Sequence, residues 1–340
     1  METITLKKIA EQLGLSISTV SKALKDYPDV SAKTKEKVRN LVTELNYVPN
    51  SSAVSLRSQR TNTIGVIIPE TVHHFFSYVI KGILEEADKK KYNVILMQSN
   101  EDYEIEKKQV ELLLNKGVDG ILISLSNTTV CLDHLEKIRV QGIPLVLFDK
   151  IAKNINCSKV KVDDRKAAYE AVSYLIDHGY RRIAHFRGGL IPQNSVDRFL
   201  GYKKALIDHD IEFDSSLVYM CDSNSDFTDG FNNAEKMIQD HGDNVDAIFT
   251  VNDLLAIGAI DYFNANGIKI PERIALIGFS NWFVSSVLTP SLSSIEQHGF
   301  EMGSKSAQIV LHEIDCKNKG IPIEPQQIII ETNLIIRNSC

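Results

Sequence analysis

Polar and aromatic side chains follow directly after short apolar runs between residues 62 and 291 of this sequence. Carboxylate, amide and guanidinium groups match the hydroxyl groups of a sugar, and aromatic rings cover its apolar C–H surface. The residue types therefore favour recognition of a small polyhydroxylated molecule. The candidate binding residues are Phe75, Phe76, Asp149, Arg198, Asn252, Asp253, Ser280, Asn281 and Trp282.

Structural roles are the alternative for several of these candidates. Asp149 and Asp253 can cap the helices that follow them. Phe75 and Phe76 can pack in a core or an interface, and Trp282 can cover a surface cleft.

The apolar runs predict the elements that position these residues. They lack polar alternation, as in strands that are covered on both faces, and helical stretches lie between them. This rhythm predicts parallel, doubly wound sheets, whose ligands bind beyond the carboxyl ends of the strands. The strand runs are 64–68, 93–97, 120–124, 145–148, 182–186, 246–250 and 274–278, and the helical stretches include 76–91, 104–116, 165–178, 229–241 and 253–266.

Three short helices are predicted in the first 45 residues. Apolar residues recur at helical spacing up to Gly14, which tolerates the positive φ of a tight turn. Ser16 can cap a second helix and Ser31 a third. The second helix would project small polar side chains and one cation, Lys22, as in a helix-turn-helix that contacts base edges in a major groove. An ordinary three-helix bundle is the alternative.

The charge of the chain is divided unevenly. The 340 residues have a net charge of −6, but residues 1–60 contain 10 Lys and Arg against 6 Asp and Glu, a net charge of +4. The remaining residues contain 28 Lys and Arg against 38 Asp and Glu, a net charge of −10. Only the basic head can neutralise phosphates, and the acidic body should repel DNA.

Composition excludes several classes of protein. With 43% hydrophobic and 24% charged residues, the chain can bury sizeable cores, and its length predicts two or three domains. No apolar run reaches the roughly 18 residues of a membrane helix. The first residues lack the pattern of an export signal, and the five cysteines form no CxxC pair. We therefore expect a cytoplasmic protein without membrane contact, disulfides or a zinc site.

The sequence also lacks the motifs of common catalytic sites. It contains no G-x-x-x-x-G-K-[ST], no G-x-G-x-x-G after a strand and no G-x-S-x-G, so we expect neither a cofactor nor catalysis. The neighbouring His73 and His74 do not indicate a metal site, since adjacent side chains seldom point at one ion. Two alternatives remain: a sugar hydrolase that acts through Asp149 and Asp253, and a stand-alone sugar-binding module.

Four motifs of the first 60 residues carry a resemblance to a known family. They are A-x-x-x-G-L-S-x-x-T-V-S from residue 10, V-S-x-x-T from 30, L-x-Y-x-P-N from 45 and A-x-x-L from 53. Together they resemble the DNA-binding head of the lactose/galactose repressor (LacI/GalR) family, which implies sequence-specific binding of double-stranded DNA.

The resemblance assigns DNA contacts residue by residue. Lys22 stands where many members have Arg, and it lacks the forked geometry that Arg presents to guanine. The operator sequence is therefore not predicted. The residues implied to contact bases are Ile17, Ser18 and Lys22, and those implied to contact phosphates are Thr5, Thr19, Ser21, Ser31, Thr34 and Asn50, with Ser16 in the same DNA-binding set.

Residues 50–61 are implied to be a hinge helix and linker. A helix over 51–57 has about two turns, well below the roughly 12 residues at which an isolated helix is marginally stable. In the family this helix forms only on DNA and pairs with that of the dimer mate. Leu56 would insert between base steps of the minor groove, and Ala53 would allow close approach. The residues alone would indicate a polar linker.

The resemblance continues through the body in runs such as NKGVDGILI, HGYRRIAHF and NDLLAIGAIDYF. It implies the fold of a periplasmic sugar-binding protein, in which two lobes are joined by three crossings. The implied domains are a head at 1–49, the hinge at 50–61, an N-lobe at 62–161 plus about 292–325, and a C-lobe at 162–291 plus about 326–340.

Family positions support four of the candidate binding residues as effector contacts, namely Phe75, Asp149, Arg198 and Asn252. The sequence departs from the family at two places. His73 and His74 replace an Asn-Pro pair, and Ser280 replaces an Asp that contacts ligand hydroxyls. The identity of the effector is therefore left open.

The resemblance implies a transcriptional regulator, and we expect a repressor. It would bind a pseudo-palindromic operator as a homodimer and carry a small effector, a sugar or sugar derivative, between its lobes. The final residues IIRNSC show no leucine heptads, so the extra tetramer-forming helix of some members is not expected. Whether the effector induces or corepresses stays open.

Overall fold

A computed structural model of the chain describes residues 5–45, 47, 60–71, 74–221 and 226–340. The chain divides into two compact units, Met1–Thr61 and Asn62–Cys340. The predicted hinge contacts Asn50, Ala53 and Leu56 lie outside the described residues.

The first unit contains the three predicted helices, α1 (Leu6–Leu13), α2 (Ile17–Leu24) and α3 (Ala32–Glu44). Each begins at a hydroxyl side chain that accepts a backbone N–H of the first turn, as an N-cap does. α1 ends at Gly14, whose φ of 62° permits the tight turn into α2. The buried side chains at the centre of this unit are Ile9, Ala10, Val20, Ala23, Val30 and Val38.

The described residues of the second unit form two six-stranded sheets. The first has the order β11-β5-β4-β3-β1-β2, and all of its pairs are parallel. Its strands are β1 (Thr63–Ile68), β2 (Asn93–Gln98), β3 (Gly120–Ile123), β4 (Leu145–Phe148), β5 (Ser158–Val162) and β11 (Gln327–Ile330).

The second sheet has the order β12-β10-β9-β8-β6-β7. Its pairs are parallel except that β12 runs antiparallel to β10. Its strands are β6 (Ile183–Arg187), β7 (Val218–Met220), β8 (Ala247–Thr250), β9 (Ala275–Phe279), β10 (Ser293–Glu296) and β12 (Asn333–Ile335).

Helices cover both faces of each sheet, as the continuous apolar strands predict. In the first sheet α4 and α11 pack on one face and α5 and α6 on the other. In the second sheet α9 and α10 pack on one face and α7 and α8 on the other. The helices are α4 (His74–Lys89), α5 (Tyr103–Lys116), α6 (Asp133–Val140), α7 (Asp164–Asp177), α8 (Gln193–Asp208), α9 (Phe227–His241), α10 (Asp253–Ala265) and α11 (Gly299–Lys319).

Glycines allow α4 and α11 to touch backbone to backbone. A Cβ at Gly303 would lie 2.0 Å from the carbonyl oxygen of Val79, and one at Gly82 would lie 2.2 Å from that of Phe300. Since no side chain fits at these distances, glycine is required at both positions. Among the described residues, no helix is long and apolar enough to cross a membrane.

The chain passes between the sheets three times, after β5, after β10 and after β11. The predicted return to the N-lobe at about 292 is too early, because β10 pairs with β9 of the second sheet. The predicted final crossing at about 326 is also too early, because β11 pairs with β5 of the first sheet. These short strands have the same β-rich composition wherever they pair, so the sequence does not specify which sheet edge accepts them.

Candidate functional site

A cleft in the second unit lies between the carboxyl ends of strands from both sheets. It encloses about 640 Å³, counting the part that is open to solvent. Residues after β2, β3 and β4 contribute to one wall, and residues after β6, β8 and β9 contribute to the other. The lining residues are Phe75, Phe76, Glu101, Asn127, Asp149, Lys150, Gly188, Gly189, Pro192, Asn194, Ser195, Arg198, Val251, Asn252, Ser280 and Gln297.

Six of the nine predicted effector residues line this cleft. The other three lie elsewhere. Asp253 and Trp282 line a smaller pocket with His74, and this pocket shares Phe75, Asn252 and Ser280 with the cleft. Asn281 lines neither of these two spaces. The six that line the cleft are Phe75, Phe76, Asp149, Arg198, Asn252 and Ser280.

Asp149 presents a buried carboxylate to the cleft. It follows β4 in a left-handed conformation, with a φ of 55°, and is only 6% exposed. Burial raises its pKa to about 6, against the opposing effect of the Arg198 charge. No described residue donates a hydrogen bond to this carboxylate. Its oxygens therefore have the capacity to accept hydrogen bonds from a ligand.

Arg198 is a fixed part of the cleft wall. Its Nε donates to Asp164 Oδ1 at 2.8 Å, and its Nη1 donates to the carbonyl oxygen of Val251 at 2.6 Å. The guanidinium carbon lies 3.5 Å from the centre of the Phe279 ring, in a cation–π contact. Because its charge is already paired with Asp164, Arg198 is not an open site for an anion.

Lys150 is paired in the same way on the opposite wall. Its Nζ donates to Glu101 Oε1 at 2.5 Å and to Asn127 Oδ1 at 2.7 Å. Glu101 Oε2 accepts the backbone N–H of Asn127 at 2.7 Å. These three residues were not predicted from the sequence, although they follow β2, β3 and β4, and the strand-end rule that predicts Asp149 applies to them as well.

Gln297 is a second side chain with unused hydrogen-bonding capacity. It follows β10 at a crossing between the lobes and is 2% exposed. Its Oε1 accepts a hydrogen bond from Ser280 Oγ at 2.7 Å. Its Nε2 is buried without a hydrogen-bond partner, which is costly unless a bound molecule accepts from it. Gln297 was not predicted from the sequence, because β10 itself was not predicted.

The remaining predicted cleft residues shape the site. Asn252 caps α10, since its Oδ1 accepts the N–H of Leu255 at 3.0 Å. Phe75 and Phe76 form an edge-to-face pair with ring centres 5.3 Å apart. Ser280 has a φ of 108°, which turns the chain after β9 toward Gln297.

Asp253 fastens the loop that follows β9. Its Oδ2 accepts the backbone N–H of Trp282 at 2.7 Å and the hydroxyl of Ser285 at 2.8 Å, and its Oδ1 accepts the hydroxyl of Ser294 at 2.6 Å. Burial raises the pKa of Asp253 to about 6, although these hydrogen bonds oppose the shift. The two carboxylates predicted for a sugar hydrolase are therefore not equivalent, because Asp253 is engaged within the protein and Asp149 is not.

The prediction that Asn281 binds the effector is not supported by its position. Its Nδ2 donates to Glu296 Oε2 and its Oδ1 accepts from Arg337 Nη2, both at 2.7 Å. Its φ of 46° follows the positive φ of Ser280, so two consecutive residues with positive φ form the turn after β9. Among the described residues, no cluster of three or more His, Cys, Asp or Glu is arranged to hold a metal.

The first unit exposes most of the predicted DNA contacts on its surface. Ile17 at the start of α2 is 49% exposed, although it is apolar. Thr5 and Ser16 serve as N-caps of α1 and α2. The residues that surround one concave surface of this unit are Leu15, Ser18, Thr19, Lys22, Asp29, Val30, Ser31 and Thr34.

A helix-turn-helix head followed by a two-lobed body with a polar cleft defines a ligand-controlled transcriptional regulator. The chain belongs to the LacI family of bacterial regulatory proteins. Residues 5–50 match the family model described as bacterial regulatory proteins, lacI family. Residues 61–338 match that of periplasmic binding proteins and the sugar binding domain of the LacI family.

Similar proteins support this assignment over the whole chain. The HTH-type transcriptional regulator RegA of Clostridium acetobutylicum is 35% identical over 341 residues, which cover 99% of each chain. The structure of the transcriptional regulator CelR in complex with cellobiose matches with a TM-score of 0.75 and 25% identity over 99% of this chain and 100% of that one. A LacI family regulator from Enterococcus faecium with bound ribose matches with a TM-score of 0.71 and 26% identity, over 82% and 98% of the two chains.

Proposed function

We propose that this protein is a cytoplasmic repressor whose affinity for an operator is controlled by a small uncharged sugar bound in the cleft. The observation that carries the proposal is the pair of buried polar groups in the cleft walls. Asp149 offers acceptor oxygens and Gln297 Nε2 offers a donor, and neither has a partner among the described residues. Hydroxyl groups satisfy both, since each donates and accepts.

The charges of the cleft favour an uncharged ligand over a phosphorylated or acidic one. Both cations are already committed, Lys150 to Glu101 and Arg198 to Asp164. The Asp149 carboxylate is left without such a partner, and it would repel an anion. The relatives bound to cellobiose and to ribose carry uncharged sugars, which agrees with this argument from charge.

We propose that the head binds DNA through α2, which would enter the major groove. Ile17, Ser18 and Lys22 would contact bases. The residues that would contact phosphates are Thr5, Thr19, Ser21, Ser31, Thr34 and Asn50. A homodimer on a pseudo-palindromic site follows from the need to pair two hinge helices, in which Ala53 and Leu56 would lie against the minor groove.

The effector would act by closing the two lobes on each other. The cleft is lined from both lobes, so a ligand that bridges Asp149 and Asn252 favours the closed arrangement. Closure would alter the spacing of the N-lobes in the dimer and thereby the stability of the hinge helices. We expect the sugar to act as an inducer.

Two measurements on the full chain test this proposal. Selection from a random duplex library should yield a pseudo-palindromic sequence that binds in a salt-dependent manner. Trp282, the single tryptophan of the sequence, borders the pocket next to the cleft, so its fluorescence should respond to a panel of mono- and disaccharides. A sugar that binds should be recovered intact, whereas its conversion to another compound would favour the sugar-processing alternative.

A further inference from the structure

The Lys22 side chain of α2 is paired with an acidic residue from the turn before α3. Lys22 Nζ donates a hydrogen bond to Asp29 Oδ2, and both side chains are about half exposed, at 49% and 52%. The lysine lowers the pKa of Asp29, so the carboxylate is ionised at neutral pH and the contact is an ion pair.

The turn that carries Asp29 is anchored on both sides. Val30, the next residue, is buried in the core of the head with 8% exposure. Asp26, at the start of the same turn, pairs through Oδ1 with Lys35 Nζ and Arg39 Nη2 of α3, both at 3.1 Å. The flexible lysine stem therefore meets a carboxylate whose backbone is fixed.

Asp29 lies on the concave surface that also carries the predicted DNA contacts. A carboxylate next to DNA phosphates is electrostatically unfavourable by itself. A lone lysine, in turn, is a poorly directed donor, because its ammonium is a point charge on a flexible stem and lacks the fork of arginine. An ion pair with a fixed partner supplies the direction that the lysine lacks.

We propose that Asp29 is a positioning residue that sets DNA specificity by directing the Lys22 ammonium at one base pair of the operator. This inference rests on the proposed role of α2 in the major groove. The ammonium can donate to O6 or N7 of guanine. The directed ammonium is therefore matched to the guanine of a G·C base pair.

Selection from a random duplex library tests the proposal, with the wild-type chain, Lys22→Ala, Asp29→Asn and the double variant compared in parallel. The two single variants should relax the preference at the same base pair. For Asp29→Asn the loss of discrimination should be about two- to fivefold, the range set by the strength of an exposed ion pair. The double variant should discriminate no less than Lys22→Ala alone, and Asp29→Glu should keep most of the preference.

Glu36→Gln is the matched control, because Glu36 is an exposed acid on α3 and its loss removes the same charge. If Asp29→Asn changes affinity for all sequences equally, as this control would, Asp29 acts only through its charge and the proposal is wrong. A change at a base pair that Lys22→Ala leaves untouched also overturns it. If the wild-type chain selects no sequence at all, the proposed DNA-binding role fails and the inference fails with it.

Discussion

Replacing Asp149 by Asn is expected to stabilise the ligand-free protein at pH 7, although it removes the carboxylate that we propose binds the effector. Asp149 is 6% exposed and receives no hydrogen bond from the described residues. A group in this position lowers stability in the absence of ligand, because its ionised form has lost water and gained no donor.

The size of the effect follows from the pKa. Burial raises the pKa of Asp149 from 3.8 to about 6, which corresponds to about 3 kcal/mol at 1.36 kcal/mol per pKa unit. Asn retains part of the cost of burying a polar group, so a gain of about 1–3 kcal/mol is expected at pH 7.

The gain should depend on pH with a defined sign. Between about pH 4 and 6 the native state holds a proton on Asp149 that the unfolded state has released, so the wild-type protein loses stability as pH rises through this window. The variant lacks this pH-dependent loss of stability. Its gain in the free energy of unfolding over the wild-type protein should be absent below about pH 4, grow up to about pH 6 and stay constant above it.

Asp253→Asn is the matched control, because burial raises the pKa of Asp253 to about 6 as well. Asp253 accepts three hydrogen bonds, two of them at Oδ2. The amide of Asn accepts hydrogen bonds at one atom instead of two. Buried donors are therefore left without an acceptor, and each costs about 1–3 kcal/mol of stability. The loss of these hydrogen bonds offsets the gain from removing the charge, so this variant should be less stable than Asp149→Asn at pH 7.

Urea unfolding of the wild-type chain and both variants at several pH values measures these free energies. A larger gain in stability for Asp149→Asn than for Asp253→Asn at pH 7 supports the argument. If Asp149→Asn is destabilising at pH 7, or if its effect is the same at pH 4 and pH 7, the carboxylate of Asp149 has a partner in the folded protein and our account of the cleft is wrong.

Three other changes test separate parts of the molecule. Arg198→Ala should lower the free energy of unfolding by about 3–5 kcal/mol, because it leaves Asp164 as an unpaired buried charge; a loss below about 1 kcal/mol in urea unfolding would show that the pair is solvated. Gly303→Ala should lower the thermal unfolding midpoint, because the added Cβ would lie 2.0 Å from the Val79 oxygen, and an unchanged midpoint would contradict the close helix contact. Leu56→Ser should weaken operator binding in a mobility-shift assay and leave sugar affinity unchanged, whereas unchanged DNA affinity would remove the proposed minor-groove role.

Much of the fold follows from local patterns. Each predicted strand run agrees with an observed strand to within one or two residues, because these strands are continuously apolar and end at polar residues. β5, β7, β10, β11 and β12 were not predicted individually. They are three to five residues long, and their place in the sheets depends on pairing partners far along the chain, which local composition does not encode.

The candidate site was predictable where one rule applies, that binding residues follow the carboxyl ends of parallel strands. It located Asp149 and Asn252 at the cleft. The rule did not distinguish Asp149 from Asp253, because both lie just after the carboxyl end of a strand. The two differ in the hydrogen bonds that Asp253 accepts within the protein. Gln297 was not predicted as a cleft residue, because it follows β10 and the sequence did not predict this strand.

The central claim, that sugar binding in the cleft and DNA binding by the head are coupled, is tested most directly by reciprocal titration. The affinity for the selected operator duplex is measured with and without a saturating sugar, and the affinity for that sugar is measured with and without the duplex. We predict that each ligand changes the affinity for the other by the same factor, between about 5-fold and 150-fold. If both affinities are unaffected by the other ligand, the cleft does not control the head and the account is contradicted.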